Sequence, residues 1–203
     1  MPSLLIVVEG EGEEKAAPAL VSRLLADRGH YDWYVDGNGR RKGALPAFRK
    51  SLARNLAFLR IKNPGAVLLL FDLDDGCPKQ EAHALASEIR KEQLPFPVAV
   101  VLAHREYEAW VLASIETVCT DEPSLADDLT YDGDPETRRN AKGWLTDQMP
   151  YGTAYKPNLD QARFTGRIDF DLAHERSRSF RRLCNALDQL VERAGEAGVV
   201  TPE

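Results

Sequence analysis

Two short acidic motifs each follow an apolar run: Glu9-Gly-Glu-Gly-Glu13 after Leu4-Leu-Ile-Val-Val8, and Asp72-Leu-Asp-Asp75 after Ala66-Val-Leu-Leu-Leu-Phe71. If the two runs are neighbouring strands, their carboxylates converge on one small space. Carboxylates brought that close repel one another unless a proton or a cation intervenes. Oxygen-only donors suit Mg²⁺ or Mn²⁺. Asp72 and Asp74, two residues apart at a strand end, share one side if the chain stays extended. Glu9 stands at the other strand end, with Glu13 one helical turn on. Gly10 and Gly12 are expected to let the backbone bend and a ligand approach closely. Helix-start preference alone accounts for Glu14 and Glu11, but not for Glu9. A third acidic segment, Arg105-Glu-Tyr-Glu108, follows another apolar run. Glu106 and Glu108 lie to one side if extended and on different faces if helical, and are held as further metal-site acids. Tyr107 and Trp110 read as core anchors, and His104 as a core or a chemical residue.

The elements that must position these groups alternate in type. Leu4 to Val8, Ala66 to Phe71 and Pro97 to Leu102 are continuous apolar runs, as in strands buried on both faces. Tyr31 to Val35 adds a short strand before the turn Asp36-Gly-Asn-Gly39. Helices are expected over Glu13 to Arg28, Leu45 to Leu59 with a basic outer face, and Lys79 to Glu92. This order predicts a mostly parallel α/β sheet flanked by helices. Ligands in such sheets collect past the carboxyl ends of the strands. Residues 1–115 are expected to form the metal-binding core. Residues 116–203 are expected to be a loop and a helical extension packed on it. There, Glu116 to about Asp134 reads as an acidic loop or insertion, exposed from Asp121 to Asp134, Phe180 to Val191 as an amphipathic helix, and the tail from Gly195 as frayed.

The 203 residues suffice for a sizeable core, with 43% apolar and 29% charged residues, as in ordinary globular proteins. No apolar stretch reaches the roughly 20 residues of a membrane span. Cys77, Cys119 and Cys184 are isolated and odd in number, without a disulfide or zinc pattern. The cytoplasm is the expected location, with no membrane partner. The net charge of −6 argues against non-specific coating of nucleic acid. Basic residues nevertheless cluster at Arg40, Arg41 and Lys42, which are held as phosphate-backbone contacts, and again from Arg163 to Arg182. Lys156 is a candidate to offset charge developing on a phosphate.

Together these pieces resemble a Toprim domain, the Mg²⁺-binding fold of topoisomerases, primases and OLD-type nucleases. Glu9-Gly-Glu-Gly-Glu13 matches its first motif and Asp72-Leu-Asp74 its second. Phe71 to Pro78, Ala103 to Trp110, Tyr155-Lys156 and Arg178-Ser-Phe180 are similar to a small bacterial Toprim-like family, domain of unknown function 4276. The resemblance implies a Rossmann-like fold with a helical C-terminal extension. It also implies a Mg²⁺- or Mn²⁺-dependent nuclease acting on DNA rather than RNA, beside an ABC- or OLD-type ATPase in phage defence. Carried over by position, Glu9 is a metal-linked acid and general base. Asp72 and Asp74 hold the ion, and Glu13 completes or bridges a second. Glu106 or Glu108 and Lys156 match a further acid and a downstream lysine.

Two other readings stand beside it. A haloacid dehalogenase-type phosphatase also uses a DxD, but on its first strand, with Thr or Val where Gly76 stands here. A non-catalytic, metal-binding regulatory or partner-binding subunit suits the acidic excess. A homo-oligomer is compatible with either activity.

Overall fold

The structure, a computed structural model, describes residues 1–37 and 39–201; Asn38 of the expected turn and the last two residues lie outside them. The first half runs β1 (Ser3–Val8), α1 (Glu13–Asp27), β2 (Tyr34–Val35), β3 (Arg40–Arg41), α2 (Leu45–Lys50), α3 (Leu52–Lys62), β4 (Ala66–Leu73), α4 (Pro78–Arg90) and β5 (Pro97–His104). The rest is mostly helical, with α5 (Glu108–Ala113), α6 (Ile115–Val118) and α7 (Ala141–Asp147). A π-helical turn (Pro157–Gln161) then runs into α8 (Ala162–Thr165), followed by α9 (Phe170–Arg176), α10 (Arg178–Glu192) and β6 (Gly198–Val200).

All pairings among the described strands are parallel, in the order β2-β1-β4-β5-β6, with β3 also beside β1 at Val7 and Val8. From β1 the chain goes one way to β2 and β3, then returns to lay β4 on the other side. The order therefore reverses between β1 and β4, and the crevice past their carboxyl ends is the switch point where α/β sheets bind ligands. That is where Glu9 and Asp72 stand.

Strand alternation splits the apolar side chains between two cores. Leu4, Ile6, Val8, Leu68, Leu70 and Val101 face one core, shared with α1, α5 and α10. Leu5, Val7, Leu69, Phe71, Val100 and Leu102 face the other, under α2, α3 and α4. Each such side chain contributes roughly 1.5–3 kcal/mol by leaving water. Leu183 and Leu187 of α10 lie in the same core as Leu68 and Val101, so the C-terminal helices complete one face of the sheet. The fold class is the one expected: α/β, a parallel sheet with helices on both faces, and helices toward the C-terminus.

Four local expectations are corrected. The helix from Leu45 to Leu59 is two helices, parted at Ser51 (φ −110°, ψ 21°), and the second ends on left-handed Asn63. The strand from Tyr31 shrinks to Tyr34–Val35, which is as much as pairs with Ser3 and Leu4. The tail is not frayed throughout, because Gly198–Val200 pairs with Pro97–Ala99 and buries Val200 against the free edge of β5. The acidic stretch is irregular after α6, yet Glu122 within it and Glu136 just past it are buried. Arg163 and Arg167 flank Glu122, so its charge is matched internally.

Candidate metal centre

Glu9 is the first residue past β1, and Asp72 lies next to the end of β4, with Asp74 just beyond. Glu9, Asp72 and Asp74 line one cleft of about 410 Å³, walled by Leu45, Pro46 and Arg49. Glu9 and Asp72 also line a second cleft of about 470 Å³, with Gly10, Glu13, Lys142 and Pro157. The two residues thus form a ridge between the clefts. The structure brings Glu9, Asp72 and Asp74 together at the strand ends, and Glu13 joins Glu9 and Asp72 on the other side of the ridge.

Glu13 opens α1 and is 7% exposed. Its Oε2 accepts the Gly10 backbone N–H at 2.5 Å, and its Oε1 accepts Gln161 Nε2 at 3.3 Å. Neither glycine has positive φ among the described residues. A Cβ on Gly12 would collide with Gln161 Oε1 and lie 2.8 Å from Pro157 Cβ; one on Gly10 would lie 2.9 Å from Glu13 Oε2. The glycines therefore admit the chain's own π-helical turn and the Glu13 carboxylate, and both also line the second cleft.

A lysine that sequence reasoning missed neutralises the other acids. Lys142, in the first turn of α7, places Nζ 3.0 Å from Glu106 Oε2, 2.9 Å from Glu108 Oε2 and 3.9 Å from Asp72 Oδ2. Glu108 is fully buried, and its other oxygen accepts the Tyr155 hydroxyl at 2.9 Å. Glu108 Oε2 has no well-aligned hydrogen bond, so Lys142 compensates it chiefly as a charge. Glu106 Oε1 caps α7 by accepting the Ala141 N–H at 3.2 Å. Glu106 and Glu108 thus turn to one side, although α5 begins between them, at Glu108. Lys156 is exposed; its backbone N–H donates to Asp160, and it lines neither cleft. Lys142, not Lys156, meets the carboxylates. The two lysines occur in similarly unpatterned sequence, so no local signal separates them.

Around this ridge, Asp72 Oδ1 accepts the Tyr107 N–H at 2.8 Å, which ties β4 to the start of α5. Tyr107 and Trp110 are fully buried, their polar tips bonded to Thr165 and Ser179. His104 turns away toward Glu136, 4.0 Å distant. Asp75 pairs with Arg105 and Arg139.

The electrostatics show how crowded the ridge is. Burial, and then the neighbouring Glu13 and Asp74, push the Glu9 carboxyl above its ordinary value, although the Asp72 backbone and Lys142 oppose them. Asp72 is raised well above the usual carboxylate range by burial first and then Glu108; Lys142 relieves it in part, and Glu13 and Glu9 add to the rise. Burial raises Glu108 as well, against Lys142 and Tyr155. Burial alone would lower Lys142, but Glu108 and Asp72 outweigh it and keep the ammonium protonated. Among the described residues no three acidic, histidine or cysteine side chains already form a metal cage. The donor set still fits a hard divalent ion in chemistry. Mg²⁺ takes one or two carboxylates, keeps several waters, and accepts substrate oxygens for the rest of its shell. Glu9 and Asp72, only partly relieved by Lys142 and lining both clefts, meet that requirement.

The basic candidates divide. Arg40 pairs with Asp36 at 2.6 Å, and Arg41 lies 3.7 Å from Glu11 and 3.9 Å from Glu14. Lys42 instead stacks on the Phe58 ring, 4.4 Å from its centroid. In the second cluster, Arg163, Arg167 and Arg176 are held by Glu122, Asp160 and Glu116, as parts of the scaffold.

Comparison with known proteins follows from this geometry. No curated protein matches the chain. Among solved structures, the C-terminal region of the Burkholderia pseudomallei OLD protein is similar at 16% identity, over 95% of this chain and 98% of that one, with a TM-score of 0.43. The family model for a domain of unknown function, DUF4276, matches residues 8–188. With residues 8–188 matched, the acidic ridge, β4 and β5 included, the protein belongs to the DUF4276 family.

Proposed function

We propose that the chain is a Mg²⁺- or Mn²⁺-dependent phosphodiester hydrolase of Toprim type, acting on nucleic acid. The observation that carries this reading is the Glu9–Asp72 ridge at the sheet's switch point, where two raised carboxyls face two solvent-connected clefts. Glu9 and Asp72 would hold the ion, with Asp74 lining the first cleft and Glu13 the second. When bound, a divalent ion supplies Lewis-acid neutralisation of a phosphodiester's charge.

The chain's own residues prepare the reaction. Glu13 is fixed by Gly10 and Gln161, so it borders the ridge without swinging. Glu9 borders both clefts, where it would take a proton from an attacking water. Lys142 sets a positive charge beside Asp72, where it would offset charge developing on a phosphate oxygen. It takes the role first assigned to Lys156. Glu106 and Glu108 orient Lys142 instead of binding the ion themselves. DNA as the preferred substrate, and an ABC- or OLD-type ATPase partner, belong to the same proposal through the resemblance to OLD-type proteins.

The test is cleavage of plasmid DNA and of RNA by the purified chain with Mg²⁺, Mn²⁺ or EDTA, alone and with any ATPase encoded beside it. Metal-dependent cleavage that Asp72→Asn lowers at least a hundredfold is the expected result. No cleavage under any condition, or cleavage indifferent to Asp72→Asn, would sink the proposal. A second reading, a latent regulatory site, draws on Lys142: an ammonium already supplies much of the positive charge that an ion would bring.

A further inference from the structure

One stripe of positive charge on this acidic molecule is left without acidic partners. On α3, Arg54, Phe58, Ile61 and Lys62 follow the i, i+4, i+7, i+8 spacing of a single helical face. Arg54, Ile61 and Lys62 are exposed, and Ile61 is 83% accessible. The Phe58 ring is clasped by two ammonium groups, Lys42 at 4.4 Å and Lys62 at 5.7 Å from its centroid. Among the described residues, Lys42, Arg54 and Lys62 have no carboxylate partner. Nearby Arg49 and Arg60, by contrast, are paired with Glu81, Glu88 and Glu92.

The stripe is joined to the acidic ridge. The Lys42 backbone N–H donates to Val8 O at 2.9 Å, one residue before Glu9. The helix preceding α3 contributes Leu45, Pro46 and Arg49 to the cleft that Glu9 and Asp72 line. An anionic chain passing Lys42 would meet Phe58 beside it, with Arg54 one turn to one side and Lys62 one turn to the other, along about 12 Å of helix.

We propose that this face of α3 is a docking track for single-stranded nucleic acid leading to the Glu9–Asp72 ridge; its direction rests on the hydrolase reading above. Cations free of acidic partners match phosphates in a chain whose net charge is −6. The aromatic ring decides between single strand and duplex. A base reaches an aromatic face only when it is unstacked; on Phe58 it would take the place of the two lysine ammonium groups, which would turn to the flanking phosphates, and such stacking tolerates any sequence. In a duplex the bases are paired and stacked, so Phe58 and Ile61 would contribute nothing and only the charges would act.

The test separates docking from cleavage by leaving the metal out. Fluorescence anisotropy with a labelled oligothymidylate, full-length protein and EDTA should show salt-dependent binding, tighter than to a duplex of equal length. Arg54→Gln with Lys62→Gln, both exposed, should weaken binding at least tenfold. That pair should also reduce the slope of log affinity against log salt by about 1.4, as for two lost phosphate contacts on a single strand. Phe58→Leu, which keeps an apolar side chain against the core, should weaken it roughly five- to 150-fold, the loss of one stacked base. Three results would overturn the track: no binding in EDTA, binding unchanged by these variants, or a preference for duplex. Equal binding of polyglutamate would overturn it in favour of an acidic protein partner. Metal-dependent cleavage with unaltered oligonucleotide binding in the variants would defeat the track and leave the hydrolase standing. Stripe-dependent binding by a protein that cuts nothing would support the track and defeat the hydrolase.

Discussion

Lys142 is the residue on which the acidic ridge turns. Its Nζ lies within 4 Å of Glu106, Glu108 and Asp72, so it moderates repulsion that would otherwise favour protonation or opening. Its pairing with Glu108 should therefore be visible in stability. In Lys142→Met, Glu108 loses its countercharge at a site with no exposure. The expected loss is about 2 kcal/mol, less than for a fully buried pair because Lys142 is partly exposed. The sign with pH follows from Glu108's raised carboxyl. A folded-state value above the unfolded one gives stability at low pH that is lost as pH rises through it. The deficit of Lys142→Met should therefore be larger at pH 8 than at pH 5, and Glu108→Gln in the same chain should recover most of it. Urea unfolding at the two values checks this; a pH-independent deficit would show that Glu108 is not the unpaired group. Glu9, Asp72 and Asp74 were legible in the sequence because strand ends fix their positions locally. Lys142 was not, since its partners lie 34 to 70 residues away and only the docking of α7 brings them together.

At the scale of elements, the three long strands announced themselves by uninterrupted apolar runs, and α1, α4 and α10 by periodic burial. The smaller elements depend on neighbours. β6 forms because Val199 and Val200 find the free edge of β5, and the Pro157–Gln161 turn because Gly12 leaves room for it. Glu136 illustrates the same dependence at the start of α10. It is 5% exposed, and its Oε1 accepts the Ser179 N–H at 2.6 Å and the Ser177 hydroxyl at 2.8 Å. Burial alone would raise this carboxyl, but the hydrogen bonds from Ser179 and Ser177 outweigh it and hold the value below the ordinary 4.5. A depressed folded value contributes stability above the unfolded one that is lost as pH falls through the folded one. Glu136→Gln should cost about 1–2 kcal/mol near neutrality, as charge-assisted hydrogen bonds become neutral ones. It should also lose less than the natural chain on acidification to about pH 3. Parallel unfolding curves at every pH would contradict this assignment.

On the scale of the whole molecule, chain order explains why chemistry collects at one edge. The strand order reverses between β1 and β4, helices cover both faces, and the C-terminal helices close the core that α1 begins. No helix among the described residues is long and apolar enough to cross a membrane. The acidic ridge and the Lys142 counter-ion therefore lie at the carboxyl edge of the sheet, while α3 runs back toward the start of β4 and Arg163, Arg167 and Arg176 are committed to the scaffold. The central claim is that Glu9 and Asp72 hold a divalent ion, and calorimetric titration of the metal-free protein with Mn²⁺ tests it most directly. Saturable binding that Glu9→Gln or Asp72→Asn each weakens at least tenfold, with their thermal unfolding intact, is the predicted result. Absence of binding, or binding that both variants leave unchanged, would contradict it.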